Sequence, residues 1–194
     1  MNPLLSTLIA GVIASNPSTL DIADKPAKHA KTRNPPSINL AALDTNMVDR
    51  DTINFYLEWF NEWLGAPKGT LFAIANNESA YNPNTGQFLN VRNAVGAIGL
   101  MQLMPIALTD LRQHYGVNID PYNPVQSIIG AALMFVINYR YLTARNTPNI
   151  SWAALVVAYN GGWSAGRSYA LTGVAPSAEG RNYVAKWQDQ VGIA

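Results

Sequence analysis

Residues 128–137, Ile-Ile-Gly-Ala-Ala-Leu-Met-Phe-Val-Ile, hold no polar side chain and lie inside a longer segment of helical character. Asn123-Pro124 supplies an N-cap and an N1 proline, and the helical pattern runs on to about Arg145. A helix apolar on nearly all sides must be enclosed by other elements. This apolar stretch is too short to cross a bilayer as a helix. It therefore predicts the central, most buried helix of a helical domain, and the chain offers others to surround it. Asp49-Arg50-Asp51-Thr52 provides capping groups ahead of Ile53, Phe55, Tyr56, Leu57, Trp59, Phe60, Trp63 and Leu64, with Gly65-Ala66-Pro67 as the stop. Pro105 reads as the N1 residue of a helix ending at Tyr115-Gly116. Ile150 to Tyr159 is a further apolar helix, and Tyr183 to Val191 a last one. Alternating strand patterns are missing, and a hydrophobic content of 48% with 13% charged residues is ample for a core. The expectation is one mainly α domain over 49–194 behind an irregular N-terminal arm at 1–48.

Within that domain one acid stands on an apolar stripe. Leu71, Ile74, Ala75 and Glu78 are spaced i, i+3, i+4 and i+7, which places them on one face of a helix. The helix is expected to end near Ala80, because Asn82-Pro83 follows and the residue before a proline avoids helical angles. Burial disfavours the charged carboxylate, and so does the negative end of the helix dipole. Glu78 is thus a candidate to keep a proton near neutral pH, as a general acid must. The competing reading is a helix slightly out of register, with Glu78 at its solvent edge.

Other chemistries find little support. The formal charge of +1 argues against a nucleic-acid binder. Cysteine is absent, and the two histidines, His29 and His114, lie far apart without ligand partners at metal spacing. Neither a metal centre nor a Ser-His or Cys-His nucleophile is expected, and no cofactor, so carboxylates must carry any proton chemistry. In the arm, Leu4 to Ala14 is an apolar run too short for a membrane span. It reads as the core of a signal peptide, although no Lys or Arg precedes it, or as a docking or anchoring segment. Lys25 to Pro36 follows as a basic, proline-bearing linker.

Four blocks are not what a plain helical bundle requires. They are Glu78-Ser79-Ala80-Tyr81-Asn82-Pro83, then Gly96-Ala97-Ile98-Gly99-Leu100-Met101-Gln102-Leu103-Met104-Pro105, Ala158-Tyr159-Asn160-Gly161-Gly162, and Glu179-Gly180-Arg181-Asn182-Tyr183-Val184. In this order they resemble the lytic transglycosylases with the goose-type lysozyme fold, from about Leu71 to Val184. The resemblance implies cleavage of peptidoglycan glycan strands between N-acetylmuramic acid and N-acetylglucosamine, in the periplasm or cell wall. It implies Glu78 as the single catalytic acid and base, with Ser79 orienting it. Met101 and Gln102 are implied as the floor of the sugar site, Tyr159 as the phenol that hydrogen-bonds the acid, and Asn160 and Tyr183 as cleft residues. Bland alternatives stand beside these roles. Met101 and Tyr183 are equally compatible with the core, Asn160 with a left-handed helix cap, and Ser79 with a local backbone hydrogen bond.

The sequence also departs from the family pattern. The interval from Glu78 to Gly96 is long, with Asn84 to Ala94 as the excess, and Gly180 stands where the family often has Thr. Glu179 is accordingly expected to be structural. Trp152, Trp163 and Trp187 are candidates for stacking on sugars but are more in keeping with core positions. The lack of wall-binding repeats and the poor signal peptide favour a virion-carried enzyme, with residues 1–48 engaging a virion tail or secretion complex, over a periplasmic one. A hydrolytic muramidase, or a structural assembly subunit that keeps the fold, is the alternative.

Overall fold

The computed structural model describes residues 49–81 and 96–193. Six helices are present among them: α1 (Arg50–Trp63), α2 (Thr70–Ser79), α3 (Pro105–Tyr115), α4 (Pro124–Ala144), α5 (Trp152–Thr172) and α6 (Ala178–Val191). The expected arm at 1–48 and the long stretch at Asn84–Ala94 lie outside the described residues.

The helix ends follow from local side chains. Asp49 caps α1 by accepting from the Thr52 N–H at 2.7 Å. The Asn123 carboxamide caps α4 by accepting from the N–H groups of Val125 and Gln126, each at 3.1 Å. Each bond satisfies an amide that the helix start leaves without a partner. Buried Asn61 ties the turn after α1 to α2. Its Nδ2 donates to the Ala66 and Pro67 carbonyls, and its Oδ1 accepts from the Leu71 N–H.

α4 is the centre of the fold, as its apolar run predicts. It packs against α1, α3 and α5, while α2 packs on α1 and α6, and α6 on α5. The length argument alone needs correction. The full helix has 21 residues and is long and apolar enough to cross a membrane. Burial decides the matter: 67% of its most apolar window is covered by the surrounding protein, which marks it as a core helix.

Two expected helices have other bounds. The helix expected over Ile150 to Tyr159 continues to Thr172 with a break at Gly162, whose φ of 81° and ψ of 166° belong to a region open to glycine alone. α6 begins at Ala178 rather than at Tyr183, because Ser177 caps it by accepting from the Gly180 N–H at 2.9 Å. An apolar count detects only the buried middle of such a helix, since its first turn is polar and exposed.

Candidate active site

Glu78 sits in the last turn of α2, in line with the fully buried Leu71, Ile74 and Ala75. Ala80 closes the helix with a left-handed φ of 52°, donating its N–H to the Asn76 carbonyl. The carboxyl is half-buried, and the Tyr183 hydroxyl of α6 donates to its Oε1 at 2.6 Å. Loss of solvent pushes the Glu78 pKa up to about 7, against the Tyr183 hydrogen bond, which favours the charged form; the negative charge of Glu179 adds to the rise. Burial likewise holds the Tyr183 phenol well above the ordinary tyrosine range, so it stays a donor. Side chains keep α2 and α6 in register. Asn76 Nδ2 donates to Gln190 Oε1 at 3.0 Å, Gln190 Nε2 donates to Asn77 Oδ1 at 2.9 Å, and the Trp187 indole donates to Thr70 Oγ1 at 3.3 Å.

The acid faces a groove of about 450 Å³ that is also lined by Gln102, Asn138, Tyr159, Asn160 and Glu179. Gln102 arrives there through a backbone turn. Ile98 and Leu103 exchange N–H to carbonyl bonds at 3.1 and 3.0 Å, and Gln102 between them has a φ of 48°. Such a left-handed angle is unfavourable for a side-chain-bearing residue. Gln102 Nε2 donates to the Gly99 carbonyl at 2.8 Å, which braces the turn. The Met101 N–H donates to Ser127 Oγ of α4 at 3.1 Å, tying the turn to the core helix. From α5, Asn160 Nδ2 donates to Glu179 Oε1 at 3.3 Å.

A protein-family model described as the transglycosylase SLT domain matches residues 61–173, more than half of the chain. The chain belongs to the SLT transglycosylase family. This is a family of peptidoglycan-cleaving enzymes, and its matched span holds Glu78, Gln102, Tyr159 and Asn160 but stops short of Glu179 and Tyr183. Among solved structures, the fold is similar to an inactive mutant of lytic transglycosylase Slt from Pseudomonas aeruginosa. The TM-score is 0.53 at 20% sequence identity, covering 76% of this chain and 30% of that one. This chain therefore spans under a third of that protein's length. A search of curated proteins finds no match.

Against this SLT domain frame the expected site residues fall into two groups. Glu78, Gln102, Tyr159 and Asn160 line one groove. Three expected contacts differ. The Tyr159 hydroxyl donates to the Met101 carbonyl at 2.7 Å, and the phenol that bonds Glu78 is that of Tyr183. Tyr159 stacks on Phe135 of the core, with ring centroids 5.1 Å apart, which aims its hydroxyl at the backbone of the turn. Ser79 Oγ donates to the Ala75 carbonyl at 3.0 Å, the local alternative foreseen for a helical serine. Met101 is fully buried and holds the turn to α4 and α5 through its backbone rather than forming a sugar floor. Asn160 is helical, not a left-handed cap, since the break falls two residues later at Gly162.

Glu179 lines the groove rather than serving the scaffold alone. The three tryptophans also divide: Trp152 and Trp187 are core, whereas Trp163 lines the groove and is 39% exposed. Sequence reasoning missed Asn138, a buried amide on α4 that reaches the groove. Its signal was present, because Asn138 is the polar residue that ends the run closing at Ile137.

Proposed function

We propose that this SLT-family chain is a lytic transglycosylase that cleaves the β-1,4 bond between N-acetylmuramic acid and N-acetylglucosamine. The observation that carries the reading is the half-buried carboxylic acid of Glu78, poised near neutral pH, facing a groove that offers amide groups. Protonated Glu78 gives its proton to the glycosidic oxygen as the bond to the anomeric carbon breaks, and the N-acetylglucosamine side leaves as an alcohol. The substrate's own N-acetyl group shields the positive charge on that carbon, so no second carboxylate has to act as nucleophile. Glu78, now a carboxylate, takes the proton from the 6-hydroxyl as that oxygen bonds to the anomeric carbon. The product is a 1,6-anhydro sugar, and Glu78 is protonated again. The Tyr183 hydroxyl steadies the carboxylate formed between the two steps. Gln102 and Asn160 provide amides for the substrate's acetamido and hydroxyl groups.

Mass spectrometry of released muropeptides tests the reaction. Anhydro products, lighter by one water, are expected; only hydrated products would reject it. That second outcome would support a hydrolytic muramidase, a reading favoured by the presence of the Glu179 carboxylate on the same groove. Wall clearing in a gel by the unmodified protein separates both from a structural subunit, which clears nothing. The same reading assigns residues 1–48 to attachment, to a virion tail or a secretion assembly. An intact early N-terminus on the mature protein supports that role, and cleavage near Ala14-Ser15 points to a periplasmic enzyme instead.

A further inference from the structure

Trp163 follows the break at Gly162, lines the groove that holds Glu78, and keeps 39% of its surface exposed. The Arg145 guanidinium lies 4.0 Å from the centroid of its indole ring and 5.3 Å from that of Tyr141, another groove residue. Arg145 Nη1 also donates to the Tyr141 carbonyl at 3.2 Å, satisfying a carbonyl that the end of α4 leaves open. Three contacts thus hold the cation in one place, and among the described residues no carboxylate pairs with it. The groove itself is lined by Glu78, Asp110 and Glu179, with no lysine or arginine among the described lining residues. Arg145 is therefore an exposed positive charge held against two residues of an acidic groove, with guanidinium N–H groups to spare.

We propose that Trp163, Tyr141 and Arg145 form a saccharide subsite that selects a muramoyl unit by its carboxylate. The sugar ring stacks against the side of the indole that Arg145 leaves open, and the guanidinium takes the carboxylate. That carboxylate belongs either to the lactyl ether itself or to a stem peptide attached there. The guanidinium's planar fork matches a carboxylate, and its position over the indole is set before substrate arrives, so little rotamer freedom is lost on binding. This inference rests on the glycan-cleaving reading above for its ligand class.

The test uses the full chain carrying Glu78→Gln, so that binding is measured without cleavage. Three probes of equal length are titrated calorimetrically: peptide-free wall glycan with free lactyl carboxylates, wall glycan bearing stem peptides, and chitooligosaccharide, which has no carboxylate. Arg145→Ala is expected to weaken one or both wall glycans by about tenfold and chitooligosaccharide by less than about twofold. Which wall glycan responds identifies the carboxylate. Trp163→Ala is expected to weaken all three by about tenfold. An equal loss on every probe with Arg145→Ala overturns the proposal in favour of a packing role, and no loss on any probe, or no binding at all, also overturns it. Should Arg145→Ala melt the fold, Arg145→Lys carries the same comparison, because it keeps the charge and loses the planar fork. Wall cleavage that persists in Glu78→Gln would defeat the parent reading instead, and that is scored in a separate assay.

Discussion

The α2–α6 pair and the 96–105 turn both line the groove, yet they are held by different means. On the first, side chains hold side chains: Tyr183 on Glu78, Gln190 on Asn76 and Asn77, and Trp187 on Thr70. On the second, the bonds fall on backbone groups of the turn, and its closest approach is backbone against backbone. Gly99 has a φ of +79°, and a Cβ added there would come within 1.8 Å of the Pro121 carbonyl oxygen. Bonds between side chains can be lost singly, with the remainder intact, and the one from Tyr183 adjusts the charge state of the acid. Backbone approach allows no such grading. The molecule thus keeps a tunable side next to one that is either formed or lost.

Four substitutions probe that contrast, beginning with the most damaging. Gly99→Ala meets both the steric block and the unfavourable φ, so a loss of about 4 kcal/mol or more is expected. A thermal melt close to that of the unmodified protein would break the comparison outright. Glu78→Gln is expected to lower wall cleavage by about 100-fold to 10,000-fold with the fold intact, and unchanged clearing would reject Glu78 as the acid.

The same variant also tests the buried charge. The folded-state pKa of Glu78 is raised, so the folded protein binds more protons than the unfolded chain between pH 4.5 and about 7. The stability contribution of this group is therefore complete at low pH and is lost as pH rises through about 7. Relative to Glu78→Gln, the unmodified protein should fall by up to about 3 kcal/mol across that window. Parallel stability curves for the two proteins would show that the carboxyl is not desolvated.

Tyr183→Phe removes a donor that favours the carboxylate, so the pKa of Glu78 should rise further. Cleavage is expected to drop about tenfold, and the alkaline limb of kcat/KM, set near pH 7 by the need for a protonated acid, should move up by about one unit. A limb that stays in place would mean that the bond has no bearing on the charge. The mildest change is Glu179→Gln. It removes a repelling charge, so the limb should move slightly the other way, towards lower pH. A shift in the same direction as Tyr183→Phe would contradict the assigned causes.

Periodicity made much of the scaffold legible. α1, α3 and α4 carry their own caps, prolines and stops, and α2 ends at Ala80 as the following Asn82-Pro83 requires. Glu78 was legible for the same reason, since a helical period of 3.6 puts it on the buried stripe. Hydrogen-bond partners were not, because they depend on the rotation of one helix against another. Tyr159 and Tyr183 are each a tyrosine in a polar block, and only packing reveals that Phe135 turns the first towards Met101 and leaves the second for Glu78.

By itself the order of residues determined a helical domain around residues 128–137, a lone acid on an apolar face, and membership of a wall-cleaving family through blocks that keep their order. Tertiary structure decided which phenol meets the acid, that Met101 belongs to the interior, and that Trp163 alone of the three tryptophans considered reaches the groove. The reason is one of range. Helical period and capping act over a few neighbouring residues, whereas a hydrogen bond between Glu78 and Tyr183 joins positions 105 residues apart and exists only once α2 lies against α6.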